Sequence, residues 1–233
     1  MQRYILSAGR FLSLVLFLSL TALTTGRAQD YQKVRVMLNL TPGYTWFQTD
    51  NPRDVQTRGG TFGYDAGMKI TFFFQKNYAF STGLFYMHTG GKISYSDSVT
   101  LMLTDPMDIP ADTRIVYSIN YLSVPLGLRL HTVSFGYMRY YFEPGMDLLF
   151  NLSSRAGVPA YFDGKETCKD DVNFFNLGFY VEMGFEYSIG GTTALTGGLS
   201  YMRGLLDITS DAAGKPEDKL AFNTLALKIG IIF

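Results

Sequence analysis

The chain has 233 residues, 20 basic and 20 acidic, and one cysteine, Cys168. A single thiol excludes an internal disulfide, and with only two histidines it offers no zinc-ligand cluster. The balanced charge excludes the basic surplus that neutralises a phosphate backbone, so no nucleic-acid partner is expected.

In chain order, residues 1–28 read as a signal peptide. Arg3 and Arg10 flank an apolar run from Phe11 to Leu23, shorter than the roughly 20 residues of a spanning helix. Gly26 and Ala28 put small residues at −3 and −1 of a cleavage after Ala28, and no cysteine follows to take a lipid. Removing this segment takes away Arg3, Arg10 and Arg27, leaving 17 basic against 20 acidic residues. Residues 29–233 are read as one domain.

That domain resolves into eight alternating segments, the pattern of barrel strands. Val34, Val36, Leu38 and Leu40 share one face of the first. Phe62 to Phe72 and Phe80 to Tyr86 carry the second and third, joined by a Gln75-Lys76-Asn77 turn. The fourth puts Leu122, Val124, Leu126, Leu128 and Leu130 outward, with Ser123, Gly127 and Arg129 inward. Bulges are expected at Pro125, Pro42 and Pro144, because proline donates no ladder hydrogen bond. The fifth sets Tyr140, Phe142, Met146, Leu148 and Phe150 against Arg139, Tyr141, Glu143 and Asp147. The sixth sets Leu177, Phe179, Val181, Met183, Phe185 and Tyr187 against Glu182 and Glu186. The seventh, near Thr193 to Leu205, is glycine-rich and has no assignable phase. The eighth ends the chain with Leu225, Leu227, Ile229, Ile231 and Phe233 on one face and Lys228 on the other. Leu227, Ile229, Ile231 and Phe233 are read as a C-terminal assembly signal.

Links near 75–77, 133–136 and 190–191 are short, and those near 48–58, 93–113, 153–172 and 207–218 are long and polar. The expected fold is therefore all-β: an eight-stranded, antiparallel, up-and-down transmembrane β-barrel with short periplasmic turns and long external loops. A soluble β-sandwich also alternates. The signal peptide, the loop asymmetry and the terminal Phe233 favour lipid on the apolar face.

On this phase the interior receives Arg35, Lys69, Arg129, Arg139 and Lys228, with Asp65, Glu143, Asp147, Glu182 and Glu186. Eight strands enclose only enough space for side chains, so these charges are expected to form a structural ion-pair network, not a channel. Gly59-Gly60 and Gly90-Gly91 are read as strand ends. Tyr44, Trp46, Tyr86, Tyr95, Tyr117 and Tyr121 are read as an outer aromatic belt, and Phe74, Tyr78 and Tyr187 as an inner one.

Chemistry is sparse. His131 falls at a turn. His88 lies near the outer end of the third strand on the lipid-facing phase, with Asp97 and Ser98 in the loop beyond, and is read as an interfacial residue. A lipid-modifying enzyme using His88 is one alternative and a narrow diffusion pore another. No catalytic residue, cofactor or metal is expected.

"FSTGLFYMHTGGK" (Phe80 to Lys92), "INYLSVPLGLRL" (Ile119 to Leu130), "YYFEPGMDLLFNL" (Tyr140 to Leu152) and the closing "LALKIGIIF" resemble the PorT-type outer-membrane β-barrel family common in Bacteroidota. The resemblance implies residence in the outer membrane and offers no catalytic residues. Its best-known namesake takes part in export through type IX secretion machinery. The expectation is a small non-enzymatic barrel acting through its external loops or envelope partners, with a place in protein secretion. Its expected partners are outer-membrane lipid, the barrel-assembly machinery and envelope or secretion-system proteins.

Overall fold

A computed structural model describes residues 33–101, 103, 107–161, 164–168, 171–209 and 219–233. The signal peptide read at 1–28 lies outside them. The strands are β1 (Val34–Thr49), β2 (Val55–Gln75), β3 (Tyr78–Tyr95), β4 (Val99–Leu101), β5 (Met107–Ile109), β6 (Ile115–His131), β7 (Met138–Gly157), β8 (Glu166–Thr167), β9 (Phe175–Gly190), β10 (Thr193–Gly204) and β11 (Leu220–Ile232). Eight of them run antiparallel around a ring, β1-β2-β3-β6-β7-β9-β10-β11. The seam closes where β1 meets β11, with Leu38 opposite Ile231 and Tyr44 opposite Leu225. β4 and β5 form a small separate hairpin, and β8 extends β7 at the loop end. Closure leaves no unpaired edge, which hydrocarbon demands.

Alternation decides which side faces out. On β1, Val34, Leu38, Leu40 and Tyr44 are exposed while Met37, Asn39, Thr41 and Thr45 are buried. On β11, Leu225, Leu227, Ile229, Ile231 and Phe233 are exposed and Lys228 is buried. The glycine-rich β10 has a definite phase: Leu195, Leu199 and Tyr201 face out, and Ala194 and Thr196 face in. An exterior of Leu, Phe, Met and Ile around a charged interior inverts a soluble sandwich, and suits lipid.

Leu227 lies six residues along β11 from Phe233, about 20 Å along the strand or roughly 15 Å along a barrel axis tilted by ~40°. That is near the middle of an apolar band about 25 Å tall. Leu227→Arg is therefore expected to destabilise the folded protein in vesicles by about 2–4 kcal/mol in a urea titration. Unchanged stability would put hydrocarbon elsewhere.

Three expectations need correction. None of the prolines makes a bulge: Pro42 stands opposite Tyr64, Pro125 opposite Asp147 and Pro144 opposite Val181 in unshifted registers. Each prolyl nitrogen costs one ladder bond without an inserted residue. The register shifts fall instead at Thr57/Gly60, Gly60/Tyr64, Phe73/Gln75, Asn120/Tyr121 and Thr193/Ala194. Second, the strands run past Gly59-Gly60 and Gly90-Gly91. Gly60 pairs with Gly91 inside β2 and β3, which also shortens the first long link to 50–54. A Cβ on Gly91 would sit 2.7 Å from the Phe47 ring, so this glycine seats an inward aromatic.

The third correction concerns the outer belt. Tyr95, Tyr117 and Tyr121 are buried, not lipid-facing. The 21 residues of β2 rise about 70 Å, or roughly 50 Å along the axis, twice the apolar band. The loop half of the ring stands beyond hydrocarbon, and there the inward face becomes apolar, as in a barrel surrounded by water.

Candidate functional site: the sealed interior

From the turn end upward, the interior has three storeys. The floor is a small apolar cluster of Met37, Ala194 and Ile232.

The ionic storey begins at the same level, with Arg35 and His131 at the turn ends of β1 and β6, and rises above it. Glu143, on β7, is buried among donors. The Lys69 ammonium reaches it at 2.7 Å, Ser81 donates its hydroxyl at 2.8 Å, and Tyr180 donates its phenol at 2.9 Å. Lys69 also donates to Glu182 at 3.0 Å, and Lys228 of the last strand donates to the same Glu182 oxygen. Arg129, fully buried, lies 3.3 Å from both Glu143 and Glu186 and stacks 3.7 Å over the Tyr141 ring. At that spacing its contacts with the two carboxylates are ionic and lie off the hydrogen-bond direction. Arg35 reaches Glu186 at 3.2 Å, and so does His131, whose Nε2 lies 3.0 Å from the other oxygen.

The interior thus joins Arg35, Lys69, Arg129 and Lys228 to Glu143, Glu182 and Glu186. Arg139 is not drawn in: its guanidinium donates to the carbonyls of Thr132 and Lys76, tying two turns together at the mouth. Asp147 makes no ion pair among the described residues and accepts the Ser123 hydroxyl at 2.6 Å. Asp65 lines, with Asp147, Ser123, Phe85 and Ser200, a cavity of about 30 Å³. That volume admits about two waters. His131 is the member that sequence reasoning missed. Its place at the end of β6 suggested a turn, but the inward phase of Arg129 continues to it.

Glycine makes the storey possible. A Cβ on Gly145 would come within 2.5–2.6 Å of Tyr180, and one on Gly127 within 2.3 Å of the Tyr180 hydroxyl. The tyrosine therefore crosses the interior over two bare backbone positions to reach Glu143.

The third storey is an apolar cap. Phe47, Met87, Ile93, Tyr95, Tyr117, Ile119, Tyr121, Leu149 and Phe222 line it, and the β4–β5 hairpin lowers Val99, Leu101 and Ile109 onto them. Val158, Cys168, Val172 and Ile208 complete it from the other loops. The long links, expected as polar external loops, thus also contribute the lid.

Outside, Leu227, Ile229, Ile231 and Phe233 form one lipid-facing row. The Phe233 backbone exchanges hydrogen bonds with Val36 across the seam. His88 lies half-buried on the outer wall, stacked on Tyr64. Its Nδ1 donates to the Asn120 carbonyl oxygen at 2.7 Å, and the Asn120 amide donates to the Ser153 hydroxyl at 2.8 Å. That tautomer is assigned from the amide's commitment to Ser153. The candidate partners Asp97 and Ser98 are not brought to His88; they lie exposed beyond the end of β3. Asn120 and Ser153 went unnoticed as partners: Asn120 continues the outward phase of Leu122 to Leu130, whereas Ser153 has the parity of the inward Glu143 and Asp147 and is turned outward only by the register shift opposite Asn120/Tyr121.

With the fold and its interior in hand, comparisons can be read. Residues 24–210 match the family described as outer membrane protein beta-barrel domain. No curated protein matches the chain. Among solved structures it is similar to Neisserial surface protein A at 11% identity, covering 85% of this chain and 96% of that one, TM-score 0.45. It is similar to OprG of Pseudomonas aeruginosa at 10% identity, covering 86% and 96%, TM-score 0.47. The attachment invasion locus protein Ail of Yersinia pestis gives 12% identity, 87% and 100%, TM-score 0.43.

Proposed function

The chain belongs to the outer membrane protein beta-barrel domain family, and from that premise we propose a sealed, non-enzymatic barrel that works by presenting its loop end to envelope partners. Its place is the outer membrane, with the short turns toward the periplasm and the long loops outside. The observation that carries the reading is the filled interior. Arg129, Lys69, Glu143 and Tyr180 occupy one level, and the cap of Tyr117, Tyr121 and Phe222 occupies the next. Among the described residues, buried side chains at both levels stand where water and ions would need a continuous path. A diffusion pore would need that path.

The lipid-modifying alternative finds less support. Ser153 is held on the far side of the Asn120 amide from His88, so its hydroxyl is not poised for the imidazole to activate.

Purified protein in planar bilayers is expected to give no single-channel steps, and steady conductance would remove the sealed-barrel reading. The resemblance to PorT-type barrels supports a role in protein export, with the barrel-assembly machinery as the partner that inserts the chain. Deleting the gene is expected to lower surface-protein export, restored by the intact chain. Normal export in the deletion would remove that part alone.

A further inference from the structure

The outer wall carries a polar interruption. His88 lies ten residues along β3 from Tyr78, about 33 Å along the strand and roughly 25 Å along the axis, where the apolar band ends. Directly below its row the wall is Tyr86, Leu122 and Phe150, paired in the same order across β3, β6 and β7. At the row itself stand His88, Asn120 and Ser153, and the next row holds Ser118 opposite Arg155. Other sectors of the upper wall carry aromatics: Tyr44, Phe62 and Tyr201 are all exposed.

Polar side chains at a hydrocarbon boundary are unfavourable unless something answers them. Within the row they answer one another, through the chain His88–Asn120–Ser153. Two groups are left over. His88 Nε2 has no protein partner among the described residues. Arg155, exposed on the outward phase of β7, has no carboxylate within ion-pair distance among them. Its backbone stands opposite Ser118, one row above His88, Asn120 and Ser153. A cation with a planar fork of donors, beside hydroxyl and imidazole groups at headgroup height, is the chemistry that holds a phosphate ester.

We propose that Arg155, with His88, Ser118 and the Asn120–Ser153 pair, forms a binding site for the net-anionic phosphate headgroup of an outer-leaflet lipid. The row stands on paired strands, continuous from β3 to β6 and set off from the wall below by the β6–β7 register shift at Asn120/Tyr121, and its apolar lower border receives the acyl chains.

The test is native mass spectrometry of the full-length protein, folded in detergent and offered phosphatidylglycerol, phosphatidylcholine or inorganic phosphate. The wild type is expected to retain phosphatidylglycerol in preference to phosphatidylcholine. Arg155→Gln should weaken that retention about tenfold or more, the loss of a charge-assisted contact. Arg203→Gln, which removes an exposed cation from β10 in another sector, should leave it unchanged. The heat-dependent electrophoretic shift of barrels shows that each variant is folded. Equal retention of the two lipids would overturn the proposal, as would equal losses in the two variants. Full displacement of the lipid by inorganic phosphate would overturn it too, assigning the site to the free anion.

Discussion

Glu143→Ala is expected to destabilise the folded barrel by about 3–5 kcal/mol, the penalty of leaving buried cations short of one counter-charge. Four groups converge on that carboxylate: the Lys69 ammonium, the Ser81 hydroxyl, the Tyr180 phenol and the Arg129 guanidinium. Removing it leaves Lys69 sharing Glu182 with Lys228, and Arg129 sharing Glu186 with Arg35, in an interior shielded from water. The double change Lys69→Met with Glu143→Leu should recover much of the loss. It deletes a cation and an anion together and leaves Arg129 facing Glu186, and Lys228 facing Glu182. Urea titration of protein folded in vesicles, followed by the electrophoretic shift, measures both variants. A double variant less stable than the single one would show that Lys69 is not the group stranded.

A second large effect should come from adding atoms. Gly145→Val is expected to destabilise by about 3 kcal/mol or more, from overpacking of about 1–3 kcal/mol and the loss of a hydrogen bond to a charged acceptor. The new Cβ would stand 2.5 Å from Tyr180 Cζ, in sheet that cannot recoil without breaking its ladder. Tyr180 would swing away and release Glu143. In a Tyr180→Leu background the same valine should cost much less. An equal penalty in both backgrounds would mean the clash lies in the backbone.

Most of the wall was legible in the sequence because hydrocarbon enforces a period of two. Val34 to Leu40 and Leu225 to Phe233 state their phase without help from long-range contacts. What misled was the assumption that one polarity rule holds along an entire strand. On β6 the apolar positions are Ile115, Ile119 and their tyrosine neighbours at 117 and 121, then Leu122, Val124, Leu126 and Leu128. The sequence changes phase between Tyr121 and Leu122 while the backbone does not. That switch marks where water gives way to lipid outside the wall, and it was visible in the residues once both environments are allowed for. The ion pairs were a different matter. Alternation delivers a charge to the interior but carries no information on its partner, which depends on strand stagger. Arg139 and Glu143 sit on one strand in one phase, and only the second reaches the network. The outer polar row was hidden for the same reason, since Asn120 meets His88 and Ser153 only through cross-strand register.

Lys228 belongs to the final strand, while Glu182 and the Lys69 that shares it come from earlier in the chain. A nascent barrel still missing that strand carries an under-neutralised carboxylate facing an open slot, which keeps water in the lumen. Docking of β11 between β10 and β1 zips the seam and brings that ammonium in one stroke, so that drying of the interior accompanies closure of the ring.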